Sequence, residues 1–171
     1  FETEIVPLEG EPGFDATGMD EVRFLMSANA GEAPGRISKI ASGGELARIM
    51  LVMKDVLSER DGTPAMVFDE IDEGVSGVAA QRVAEKLARL SKKKQVICVT
   101  HLPQIAAMAD THFRIEKTER DGRTYTKVTP LEREGRIREL ARLHGGANIT
   151  DTTLASAAEQ LDAASEYKGG I

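Results

Sequence analysis

Apolar positions fall along this chain in two patterns, short unbroken runs and stripes at helical spacing, and their alternation predicts the elements. Phe1 to Leu8 alternates loosely through Ile5, Val6 and Leu8, which suits an edge or hairpin strand. Gly10 to Gly18 is rich in Gly, Pro and Asp and reads as a loop, followed by a second strand over Val22 to Met26. Another Gly/Pro loop, Asn29 to Gly35, leads to a helix from Gly43 to about Ser58, broken at Asp61-Gly62-Thr63-Pro64. That helix is apolar on nearly every side, so it is expected to be firmly packed. Ala65 to Phe68 has no polar interruption, as in a strand covered on both faces.

A polar loop, Ile71 to Gly74, precedes a helix from about Val78 to Leu90, with Val78, Val83, Leu87 and Leu90 on its stripe. A second apolar run, Gln95 to Val99, ends in Thr100-His101, and Pro103 opens a short helix to Met108. Phe113 to Lys117 and Thr124 to Val128 flank the turn pair Asp121-Gly122, which predicts a hairpin. Ile137, Leu140, Ala141 and Leu143 form a helical stripe stopped by Gly145-Gly146, and a last helix runs from about Thr152 to Ala164. Strands alternating with helices through the middle predict an α/β fold: a largely parallel central sheet flanked by helices, antiparallel strands at the N-terminus and a hairpin near residues 113–128.

Composition narrows this reading. With 171 residues, 41% of them hydrophobic, the chain can bury one core of ordinary size, so a single domain over 1–171 is expected. A net charge of −6 argues against a surface given over to nucleic acid or membrane. Basic runs are short: Lys92-Lys93-Lys94 and scattered arginines from Arg133 to Arg142. The lone Cys98 lies in an apolar run and reads as a buried thiol of a cytoplasmic protein. No apolar stretch is long enough to span a bilayer, and nothing resembles a signal peptide. The chain begins at Phe1 with strand-like sequence, as a piece of a longer protein would.

Three short stretches carry candidate chemistry. Ser42 with Glu45 three residues on is a capping box, and most such sequences are only that. Gly43 and Gly44 sharpen the reading, because glycine in a first helical turn costs roughly 1 kcal/mol relative to alanine. What glycine offers there is close backbone approach, so that N–H groups, helix dipole and the Ser42 hydroxyl can meet an anion such as phosphate. Asp69 and Glu70 follow a buried run at the strand end where open α/β sheets place ligands. Solvated strand ends are often acidic, yet two successive carboxylates also suit a division of labour. One can hold Mg²⁺ and the other can polarise an attacking water. His101 ends the second run, either as a satisfied strand-end histidine or beside the same crevice, where it can sense a terminal phosphate.

In order and in kind these residues resemble the ABC-type ATPase head. Ala41-Ser42-Gly43-Gly44-Glu45 is similar to the signature motif (41–45), and Met66 to Glu70 to Walker B (66–70) with its catalytic glutamate. Asp72 to Ser76 falls at the D-loop (72–76), and His101 matches the switch histidine. Fuller wording, from Lys39 to Met50, Phe68 to Gly77 and Val99 to Ala106, is closest to the SMC-like group that acts in DNA repair and recombination. Ala41 and Ser76 depart from the leucine and aspartate common elsewhere among ABC and SMC proteins.

No G-x-x-x-x-G-K-[ST] loop occurs in this chain. In the SMC-like group that Walker A loop lies in the N-terminal half of the head, before a long coiled coil, so the resemblance implies a C-terminal head lobe. It implies two heads sandwiching ATP, with Ser42, Gly43, Gly44 and Glu45 on the opposite head's nucleotide and Asp69 holding Mg²⁺ through water. Glu70 would be the general base, His101 the phosphate contact, and Asp72 would help pair the heads. The implied partners are an N-terminal head segment, a second copy in an ATP-dependent homodimer, and DNA, in a cytoplasmic, nucleoid-associated protein without membrane contact. This lobe alone is expected to be inactive. Another SMC-like or ABC-type chromosome-maintenance head shares all these residues, and a non-hydrolysing interaction module is the rival of a different class.

Overall fold

The first strand, β1 (Glu2–Pro7), runs antiparallel to β2 (Asp20–Met26), with Ile5 opposite Val22, and β3 (Gly35–Arg36) joins the other side of β2. The computed structural model describes residues 1–27, 31–37, 43–57, 62–146 and 148–171. The antiparallel start predicted from Ile5, Val6 and the Val22 to Met26 run is therefore present, although Leu8 lies outside the strand. The loop between β1 and β2 closes on Asp15, whose Oδ1 accepts from Thr17 N–H at 2.7 Å and the Thr17 hydroxyl at 2.6 Å. Phe1 stacks on Phe24 with ring centroids 5.8 Å apart.

Where length predicts one domain, the chain divides into two compact units, Phe1–Leu46 and Ala47–Ile171, with the division falling in α1 (Gly43–Leu57). The larger unit continues with β4 (Ala65–Phe68), α2 (Gly77–Ser91), β5 (Gln95–Cys98) and α3 (Pro103–Met108). Then follow the hairpin strands β6 (His112–Arg120) and β7 (Arg123–Leu131), and helices α4 (Arg133–Gly145) and α5 (Asp151–Gly169). Strands β4 and β5 pair in parallel, Ala65 with Gln95 through Phe68 with Cys98, joined by α2 as parallel strands require. Among the described residues this is the whole parallel part, since the other two sheets are antiparallel.

Burial explains which predicted elements carry the core. Helix α2 buries Ala80, Val83, Ala84, Leu87, Ala88 and Leu90, a stripe at helical spacing. They pack with Met66 and Phe68 of β4, Ile71 beyond it, and Ile105 to Met108 of α3. Leu140 and Ala141 of α4 meet Ala157, Leu161 and Ala164 of α5 in the same core. Helix α5 starts one residue before the predicted Thr152, where Thr150 caps it by exchanging hydrogen bonds with Thr153 in a capping box, and it runs past the predicted Ala164 to Gly169. The β6–β7 hairpin is also longer than its apolar runs, pairing His112 with Leu131 through Arg120 with Arg123. Its turn residues Asp121 and Gly122 both take positive φ, the backbone a two-residue hairpin loop favours.

Two expectations of burial are corrected. Strand β4 is covered on one face only: Met66 and Phe68 are buried, whereas Val67 is 68% exposed and Ile97 beside it 49%. An unbroken apolar run cannot by itself say whether both faces are covered. Helix α1 buries Leu51, but Leu46, Met50, Val52, Met53, Val56 and Leu57 are all exposed, so it is not packed all round. Among the described residues no helix is long and apolar enough to cross a membrane.

Candidate active site

Strand β4 ends at Phe68, whose carbonyl accepts from Val99 N–H at 2.9 Å and so carries the pairing one step past β5. The chain then turns sharply. Asp69 and Glu70 are exposed, Ile71 and Asp72 are buried, and Glu73 and Gly74 are exposed again. Ile71, with no exposed surface, pins the loop to the core. Glu70 takes φ +57°, a left-handed conformation that costs a residue bearing a Cβ roughly 1–2 kcal/mol. The loop is braced around it: Glu70 N–H donates to Asp69 Oδ1 at 3.0 Å, and Glu73 N–H to the Glu70 carbonyl at 3.1 Å. From α1, Arg48 Nη1 donates to the carbonyls of Ile71 at 3.2 Å and Glu73 at 2.7 Å.

Asp72 faces inward. It is 4% exposed, and its Oδ2 accepts from the Thr100 hydroxyl at 2.6 Å and His101 N–H at 2.8 Å and lies 3.0 Å from His101 Nδ1. The Thr100 oxygen in turn accepts from Leu102 N–H at 3.0 Å, just before α3 begins. The imidazole of His101 thus sits with Nδ1 against the carboxylate while its side chain remains 73% exposed. Burial pushes the Asp72 carboxyl up, but the Thr100 hydroxyl, the His101 N–H and the imidazole together outweigh it. The group ends below the ordinary carboxylate range. Burial, with Asp72 and Asp69 nearby, pushes the Cys98 thiol up to about 12, which leaves it protonated and inert at neutral pH.

The structure therefore gathers Asp69, Glu70, Asp72 and His101 at the C-terminal ends of β4 and β5. Gly43, Gly44 and Glu45 form the first turn of α1, in the smaller unit. Ala41 and Ser42, and with Ser42 the expected capping box, lie outside the described residues. Sequence reading missed Thr100 and Arg48. A hydroxyl beside a strand-end histidine was the available signal for Thr100, whereas nothing local marks Arg48 as a loop clamp. The inward turn of Asp72 was also missed, because it depends on Ile71 taking the core position.

Among the described residues no group of three or more His, Cys, Asp or Glu side chains could hold a metal ion. Mg²⁺ bound with a nucleotide takes one or two carboxylates and completes its shell with phosphate oxygens and water. Asp69 is exposed, with one oxygen turned to the Glu70 N–H, and its donor type suits that single-carboxylate mode.

Solved structures define the class. The Smc head domain with a coiled coil and joint from Pyrococcus yayanosii superimposes with a TM-score of 0.57 at 27% identity, over 83% of this chain and 26% of that one. An SMC ATPase structure described for ATP-driven dimerization and DNA-stimulated activation matches with a TM-score of 0.50 at 28% identity, over 82% and 81%. The chain shares the fold of these SMC-type head domains. No family model matches it. Its sequence is 48% identical to the DNA repair protein RecN of Bacillus subtilis over 151 residues, 88% of this chain. It is 46% identical to RecN of Halalkalibacterium halodurans over 160 residues, 94% of this chain. In sequence the lobe is RecN-like, and it spans about a quarter of those relatives' length, 26% and 28%.

Proposed function

We propose that this chain is the C-terminal head lobe of a Mg²⁺-dependent ATPase working in DNA double-strand break repair and recombination, in which ATP binding pairs two heads and hydrolysis separates them. The observation that carries this reading is the meeting of Asp69, Glu70 and His101 at the end of the parallel β4–β5 pair, with Glu70 held in a strained backbone. Backbone strain of this kind concentrates at functional sites.

In this reading Asp69 holds Mg²⁺, which supplies charge to offset the phosphates. Glu70, at the exposed crest of the turn, accepts the proton of the attacking water and orients it in line with the terminal phosphate. His101 meets that phosphate from the neighbouring strand. Gly43 and Gly44, with Ser42, offer backbone and hydroxyl donors to the nucleotide of the opposite head. The exposed apolar faces of α1 and β4–β5 suit burial against the N-terminal head segment that carries the Walker A loop. DNA acts on the assembled protein rather than on this acidic lobe, and the setting is the cytoplasm.

The test is Glu70→Gln in a full-length RecN carrying this lobe. Losing a general base should slow hydrolysis by roughly 10²–10⁴-fold, while ATP binding persists because the amide keeps the shape. Turnover within a factor of two of wild type would remove Glu70 from the mechanism. Binding of ATP without hydrolysis by the wild type would favour the interaction module.

A further inference from the structure

We infer that Asp72 is a positioning residue for His101: it fixes which ring nitrogen carries the proton and aims the other at the nucleotide. This rests on the proposed hydrolysis and departs from the family expectation that Asp72 pairs the heads. Its Oδ2 accepts hydrogen bonds from the Thr100 hydroxyl and the His101 N–H and lies 3.0 Å from His101 Nδ1, and the residue is 4% exposed. A carboxylate so buried reaches a second head only by leaving those partners. Two of these three contacts are with His101 itself, a backbone hydrogen bond and an ion-pair contact with its ring, so one oxygen faces both backbone and ring. Thr100 completes the arrangement by donating to the carboxylate and accepting from Leu102 N–H, which ties the loop to the start of α3.

The ring chemistry follows. An ionised carboxylate can only accept, so an oxygen 3.0 Å from Nδ1 favours the proton on that nitrogen. The neutral ring then presents a lone pair at Nε2, on a side chain that is 73% exposed. Nε2 donates to a phosphate oxygen only when the ring carries both protons, the second drawn from solvent. That cation then lies between the Asp72 carboxylate and the phosphate, countering both. A histidine free of Asp72 could turn its ring, and the contact would be made by a fraction of conformers.

Two measurements test this independently. The first is the ring tautomer of His101, read from long-range ¹H–¹⁵N couplings in this lobe joined to the N-terminal head segment and labelled at histidine, at about pH 8. Wild type should show the Nδ1–H form, and Asp72→Asn should shift it toward the Nε2–H form. An Nε2–H ring in the wild type overturns the inference whether or not Asp72→Asn folds. The second is ATP hydrolysis by full-length RecN carrying this lobe. Asp72→Asn should lower kcat about tenfold with KM for ATP within twofold, and Thr100→Ser, which keeps the hydroxyl, should stay near wild type. Unchanged kcat in Asp72→Asn, or a loss of kcat accounted for wholly by lost ATP-driven pairing, overturns the positioning role. Absence of hydrolysis in the wild type overturns the proposed function itself, and the catalytic half of this inference falls with it while the tautomer remains readable.

Discussion

Glu70 sits in a conformation that most residues avoid, two residues past the end of β4. Ile71 on one side and Arg48 on the other hold the turn there, so the core and the clamp offset the strain. Asp69, Glu70 and His101 were legible in the sequence because each ends an apolar run, and a run's end is where a polar side chain reaches solvent. Asp72 was legible as an acid but not as a buried one. Its environment gives a pH signature. Its folded pKa lies below its unfolded value of about 3.9, so its contribution to stability is complete above that value. The contribution is lost as pH falls through the folded pKa. Urea midpoints for wild type and Asp72→Asn should therefore differ at about pH 7, and the gap should narrow as pH falls below about 3.9. A gap independent of pH would mean that these contacts do not favour the charged form.

At the scale of elements, helical spacing was the reliable guide. The stripe of α2 was read from Val78, Val83, Leu87 and Leu90; the last three are buried, while Val78 in the first turn is exposed. The apolar runs of β4 and α1 misled because periodicity reports which residues avoid water, not what covers them. Helix α3 depends on a feature no local pattern contains. It has six residues, and past its end Arg136 of α4 donates from Nη2 to the carbonyls of Ala107 at 3.1 Å and Ala109 at 2.7 Å. These are end-of-helix acceptors that α3 leaves open. Arg136→Met should cost about 2–3 kcal/mol, the range for hydrogen bonds to a charged donor with partners left unsatisfied. The checks are chemical denaturation and hydrolysis: stability should fall while kcat, once folded, changes little. A loss below about 0.5 kcal/mol would show water replacing the guanidinium.

For the molecule as a whole, the open face of β4–β5 has a consequence for handling and for quality control in the cell. Strands β4 and β5 pair only with each other among the described residues, so each also has an outer side whose N–H and C=O groups have no ladder partner. Val67 and Ile97 stand beside those free edges, β-branched and exposed. Such a pair is a template for edge-to-edge aggregation, which proteins ordinarily blunt with charge, proline or a covering element. The chain made alone should form concentration-dependent oligomers that grow with apolar dye binding, visible by light scattering. Joining the N-terminal head segment, or making Val67→Lys, should suppress them. A monomer that stays clear at high concentration would mean the edge is already protected. If the oligomers form and the added segment suppresses them, covering this edge is a condition for the lobe to stay dispersed.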